Sequence, residues 1–424
     1  EEELRRYRSA RTAYQNALDR DRTNAIARAG LHRMRSKIRT PRREPSAAEW
    51  AQRGHNRMDS GDIEGAINAF ERSIAKRGNN ARVLNDLGLA YAMIGDTGRA
   101  RIAFEKAEQA DPSTETAYNL GRLSFQEGKP SEAMLNYQIV LQRDATFLTA
   151  ALNLSALQAG AGDAGSAIQT LSDIREHYPE SGAVTISLAN AYFQSGELDR
   201  AARLYREATG IANGAADAHI GLGNVSLCQG DTTSAADHYQ QAIASAPDNP
   251  DARVNLGTVL IQQGRYDEAV LEFQRALELN PSDLALYLNL AVLYYHTEQY
   301  PESLEYCRAV IEQDASVVEA QRLIGDIAMA TEEYQLAVDA YGAVLLQDSG
   351  DLSAILGVAE AYVALEQPEM ARDYWQQWLD LIGEDPAYES QTSAISRRLN
   401  GEENATATWF YEQIKELRSL TESL

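Results

Sequence analysis

The chain has 424 residues, 44% of them hydrophobic, and a formal net charge of −23. That apolar content is too high for a disordered polyacid, and no apolar run approaches the ~18 residues that cross a bilayer. The negative balance disfavours nucleic acid and anionic lipid as general ligands.

The first 45 residues run against that balance, with 13 Arg or Lys against 6 Asp or Glu. Within them "SARTAYQNALDRD" sets Ala10, Tyr14 and Ala17 at helical spacing, and "TNAIARAGLHRM" sets Gly30 on a second helix. The Pro- and Arg-rich "RTPRREP" then predicts a joint at Thr40 to Pro45, which closes a basic segment, 1–46. The chain does not begin with Met and is expected to be a processed or truncated product.

From residue 47 to 385 one phrase keeps returning. Asn119-Leu120-Gly121, Asn153-Leu154-Ser155, Asn255-Leu256-Gly257 and Asn289-Leu290-Ala291 recur on a 34-residue period or at three times that interval. Aligned on the phrase, ten units begin near 47, 81, 114, 148, 182, 216, 250, 284, 318 and 352. The clearest, Pro250 to Asp283, holds Leu256, Gly257 and Leu260 in one half and Ala269, Phe273 and Ala276 in the other. Each half has the three-and-four spacing of an amphipathic helix. Gly264 between the halves predicts a turn, and Pro281 blocks continuation of the second helix.

Gly257 and Ala269 are small enough for two helix backbones to approach, and Phe273 is placed to fill the space towards the neighbouring hairpin. A single hairpin cannot bury its apolar face, so the hairpins must stack. The same series reads Gly88, Ala100, Phe104, Ala107, Pro112, and again Gly223, Ala235, Tyr239, Ala242, Pro247. The unit near 284 has Ser303 and Cys307 where Ala and an aromatic are usual, so looser packing is expected there.

Trp375 and Trp378 fall in the aromatic and Ala slots of the last unit. A Trp in a small slot holds off another standard hairpin, so residues 386–424 are expected to cap the array. Its last helix would start at Asn404 and present Phe410, Ile414 and Leu417 on one face.

No catalytic, cofactor or metal site is expected. Cys228 and Cys307 sit in different repeats, which argues against a disulfide. The six histidines form no metal motif, although His219 and His238 fall on the two helices of one hairpin and are placed to meet as a packing pair. "GRLSFQEGKPS" has the wrong spacing for a phosphate loop, with Pro130 where Ser or Thr would touch magnesium. Asn404-Ala405-Thr406 matches a glycosylation sequon but suits a helix cap better.

The repeated pattern resembles the tetratricopeptide repeat family over about four fifths of the chain. That resemblance implies an all-α, right-handed superhelical solenoid of stacked helix hairpins, with the first helix of each lining a concave face. One row of that face would hold Tyr118, Leu152, Ile186, Ile220, Val254 and Leu288. A second would hold Phe125, Phe193, Leu227, Ile261, Tyr295 and Met329. Contiguous apolar rows either bind partners or are hidden by tight winding against neighbouring helices. Asn119, Asn153, Asn255 and Asn289 lie beside the first row, with Ser187 and Gly221 interrupting them. In the peptide-binding arrays of certain sugar transferases, similar asparagines grip a ligand's backbone. An amide both donates and accepts, which suits an extended peptide.

The resemblance therefore implies a non-enzymatic scaffold that binds other proteins or peptides, as a helix or an extended segment, in its groove. A self-assembling structural protein is an alternative, since a basic end and an acidic body can meet head to tail as a homo-oligomer. The regulatory region of a larger enzyme is a third.

Overall fold

The computed structural model describes residues 2–37, 44–78, 80–211, 214–383 and 388–400, and all regular structure among them is helical. The chain divides into two compact units, Glu1–His177 and Tyr178–Leu424.

In the first unit, α1 (Glu2–Arg20) and α2 (Ala25–Lys37) pack as a pair. Four hairpins follow: α3 (Ala47–Asp59) with α4 (Ile63–Arg77), α5 (Ala81–Met93) with α6 (Thr97–Ala110), α7 (Thr114–Gln126) with α8 (Pro130–Arg143), and α9 (Leu148–Gly160) with α10 (Ala164–His177). The second unit holds six more. These are α11 (Gly182–Gln194) with α12 (Leu198–Ala208), α13 (Ala215–Cys228) with α14 (Thr232–Ser245), and α15 (Pro250–Gln262) with α16 (Tyr266–Leu279). Then come α17 (Leu284–His296) with α18 (Tyr300–Gln313), α19 (Val318–Ala330) with α20 (Tyr334–Gln347), and α21 (Leu352–Ala364) with α22 (Pro368–Ile382). A last helix, α23 (Glu389–Leu399), packs on α22. Nine of the ten expected starts coincide with the first residue of a helix, and the remaining helix begins one residue early, at Ala215.

One contact recurs in six of the ten hairpins. Phe70, Phe104, Tyr137, Tyr239, Phe273 and Tyr341 each lie with the ring against a glycine on the first helix of the same hairpin: Gly54, Gly88, Gly121, Gly223, Gly257 and Gly325. A β-carbon on any of these glycines would fall within 2.3 to 2.7 Å of the ring. A flat ring on a bare backbone therefore sets the helix-to-helix distance. Some rings also reach forward to the first helix of the next hairpin, because Tyr205 meets Gly221 and Tyr341 meets Gly357. Tyr14 meets Gly30 in the same forward relation, so α1 contacts α2 as a second helix contacts the next first helix.

The turn inside each hairpin needs a left-handed residue. Glycine supplies it at Gly61, Gly95, Gly128, Gly162, Gly196, Gly230 and Gly264. In the last three hairpins Glu298, Glu332 and Glu366 adopt the same conformation, with φ of 58°, 63° and 60°. "GRLSFQEGKPS" is the end of α7, one of these turns at Gly128, and the start of α8.

The loose packing expected around Ser303 and Cys307 is not found. Both are fully buried, and Ser303 donates its hydroxyl to the Ala291 carbonyl at 2.6 Å, so the polar replacement carries its own partner. Burial pushes the Cys307 thiol pKa up to about 12. At the C-terminal end Trp378 is fully buried and Trp375 nearly so, in a core with Ile355, Leu356 and Ala371 that Ile395 of α23 completes. The expectations for Asn404, Phe410, Ile414 and Leu417 lie outside the described residues, as does most of the Thr40 to Pro45 joint.

Candidate interaction grooves

The asparagine row splits by location. Asn119 is buried and donates to Asn85 Oδ1 at 3.0 Å, while Asn85 donates to Glu115 at 3.3 Å. Asn153 directs its amide to the Tyr137 hydroxyl at 3.5 Å. Asn255 and Asn289 have no hydrogen-bond partner among the described residues, and Asn289 is exposed. The gap at Gly221 has a steric cause, since a β-carbon there would lie 2.3 Å from the Tyr205 ring.

In the first unit a groove of about 780 Å³ opens between the first helices α5, α7 and α9 and the rings of Phe104 and Tyr137. Leu89, Met93, Leu123, Phe125 and Leu157 make it apolar, and Arg122 is its one charged lining residue. Met93 and Phe125 are 61% and 60% exposed, large for apolar side chains. Of the residues singled out in the sequence, this groove gathers Asn119, Phe125 and Asn153.

In the second unit a groove of about 550 Å³ runs over α11, α13, α15 and the start of α17. It gathers Ile186, Ile220, Val254, Asn255 and Asn289. It also holds residues the sequence reading passed over: Asn190, Asn224, Asp217, Asp251 and Asp283. Tyr205 donates its hydroxyl to Asn190 Oδ1 at 2.5 Å, and Tyr239 to Asn224 Oδ1 at 2.6 Å. With the carbonyl oxygens so engaged, the amide nitrogens are the groups left to donate. Their signal was present, because Asn190 and Asn224 stand one repeat period apart, as do Asp217 and Asp251.

Tyr118, Leu152, Phe193, Leu227, Ile261, Leu288 and Tyr295 line neither groove. Tyr118 packs between Tyr137 and Phe147, at ring distances of 5.8 and 5.1 Å. Leu227 and Ile261 lean on the core of α14 to α17, and Tyr295 on that of α17 to α20.

Two polar pairs lie outside the grooves, one half-buried and one built on a fully buried carboxylate. His219 and His238 stack at 5.8 Å, and burial lowers both imidazole pKa values. Glu360 on α21 is 1% exposed, and burial raises its carboxyl pKa well above the usual range despite Arg398 at 3.6 Å. No group of three or more His, Cys, Asp or Glu converges on a metal position among the described residues. No helix among them is long and apolar enough to cross a membrane.

A model of the tetratricopeptide repeat family matches residues 51–115, 152–216, 186–250, 220–283 and 254–318, together more than half of the chain. No curated protein matches the chain in sequence. Among solved structures, the chain is similar to a tetratricopeptide repeat protein from Parabacteroides merdae, with 17% identity, a TM-score of 0.47, and coverage of 58% of this chain and 98% of that one. It is similar to PilF of Pseudomonas aeruginosa, with 22% identity, a TM-score of 0.41, and coverage of 50% and 97%. It is also similar to a chain of the Cut9–Hcn1 hetero-tetramer of the APC/C, with 14% identity, a TM-score of 0.41, and coverage of 92% and 86%. The family match, the repeat period and the ring-on-glycine hairpins agree, and the chain belongs to the tetratricopeptide repeat family.

Proposed function

We propose that this protein is a non-catalytic scaffold whose first-helix grooves each hold a segment of a partner protein. The observation that carries the reading is the pair Asn255 and Asn289, two amides in one groove with no partner in their own chain among the described residues. An extended peptide brings backbone donors and acceptors that need such groups. Exposed Phe125 and Met93 add an apolar counterpart in the first unit, where a partner's hydrophobic side chain would be removed from water. Family membership supports protein binding in general. The two grooves, one apolar and one polar, suit different stretches of partner.

Selection of binding peptides from a random library on the full chain tests this reading. Peptides that bind the wild type and lose about tenfold or more in affinity for Asn255→Ala/Asn289→Ala or for Phe125→Asp support it, about 1.4 kcal/mol by the usual conversion. Selected peptides that bind both variants as tightly as the wild type would remove it.

A further inference from the structure

The groove over α11, α13, α15 and α17 has a one-sided charge. Asp217, Asp251 and Asp283 line it, and no lysine or arginine does. None of the three carboxylates forms a salt bridge among the described residues. Arg253, on α15, is committed elsewhere, to Glu272 at 3.0 Å and the Pro247 carbonyl at 3.2 Å. All three acids sit at helix N-termini, and Asp283 caps α17 by accepting from the backbone of Ala285 and Leu286. A helix N-terminus offsets only about half a charge, so the groove stays negative.

Between the acids lies an aliphatic floor of Ile186, Ile220 and Val254. A carboxylate at the end of an aliphatic surface fits a long side chain with an apolar stem and a cationic tip. The unpaired amides of Asn255 and Asn289 supply what a peptide backbone needs, independently of charge. The groove of the first unit differs, with Arg122 and no carboxylate in its lining.

We infer that the second-unit groove takes an extended peptide segment bearing lysine or arginine, whose cationic tips meet Asp217, Asp251 and Asp283 in turn. This rests on the groove reading given above and adds the chemistry of the occupant. Asp217 and Asp251 stand one repeat period apart, on α13 and α15, so an extended segment crossing the groove passes the acids in succession.

The test uses the full chain and three labelled peptides of one length, with lysine, glutamine or glutamate at every third position, followed by fluorescence anisotropy. The lysine peptide is expected to bind about tenfold or more tighter than the glutamine peptide at low salt, and to lose that advantage as salt screens the acids. The Asp217→Asn/Asp251→Asn/Asp283→Asn variant is expected to abolish the advantage with its thermal melt little changed, because Asn can replace Asp283 as the cap of α17 and the Asp217 and Asp251 carboxylates lie in first turns where they cap nothing. An advantage that survives in this variant, or is absent from the wild type, overturns the inference. If all three peptides bind alike and lose affinity in Asn255→Ala/Asn289→Ala, the charge assignment falls while the groove reading stands. If none binds, both fall.

Discussion

The ring of Phe273 lies on Gly257 so closely that a β-carbon on the glycine would sit 2.6 Å from its Cε1. Phe273 cannot withdraw, because it is buried in one core with Leu256, Leu286 and Leu290. Gly257→Leu is therefore expected to cost about 1–3 kcal/mol or more through overpacking. Asn255→Ala, on the same helix, removes a partly exposed amide with no partner among the described residues and is expected to stay within about 0.5 kcal/mol. Denaturant midpoints of the two variants check this, and equal shifts would break the assignment of the two faces.

Glu298, Glu332 and Glu366 hold a left-handed backbone that glycine supplies in the other hairpins. A side chain there costs roughly 1–2 kcal/mol, of which a glycine returns part as unfolded-chain entropy. Each Glu→Gly change is expected to stabilise the second unit by about 0.5–1 kcal/mol. Thermal melts of the single and triple variants measure it, and a loss of stability would show that the carboxylates do something the backbone does not reveal.

Burial lowers the pKa of both His219 and His238 below the ordinary value of 6.5. In mild acid the unfolded chain then binds more protons than the folded one. The stability contribution is whole above that ordinary value and is lost as the pH falls through the window beneath it. The His219→Phe/His238→Phe variant keeps two stacked rings without that titration. Between pH 7 and pH 5 it is expected to lose less resistance to urea than the wild type does. Parallel pH dependence of the two proteins would contradict the coupling.

Ile395 joins α23 to the core around Trp375 and Trp378 and is fully buried. Ile395→Ala is expected to cost about 2–5 kcal/mol and to shift tryptophan emission to the red as water reaches the rings. Unchanged emission would mean that α23 does not cover them.

The hairpins were legible in the sequence because their physics is local. A small residue in one half of the unit, most often a ring in the other, a turn residue between them and a fixed repeat period specify each unit without knowledge of its neighbours. The grooves were less so. Asn119 shares its phrase with Asn255, yet the residue 34 positions before Asn119 is Asn85, which accepts its amide, whereas the residue 34 positions before Asn255 is Gly221. Asn153 finds a tyrosine hydroxyl, whereas Asn289 lies over the slot of Phe273, which has no hydroxyl to offer. Asn255 has Tyr239 at the same interval, but that hydroxyl goes to Asn224, so an amide is spent or free according to what its neighbours leave it, not according to its own phrase. Asp217, Asp251 and Asp283 escaped notice because acids at helix starts have a local reason to be there.

The central claim is that partner segments lie on the first helices. A photo-crosslinking residue in place of Asn289, on α17, or of Gln240, exposed on the second helix α14, locates a bound library-selected peptide directly. The account predicts efficient crosslinking from position 289, blocked by excess unlabelled peptide, and little from position 240. Crosslinking from 240 with none from 289 would contradict it.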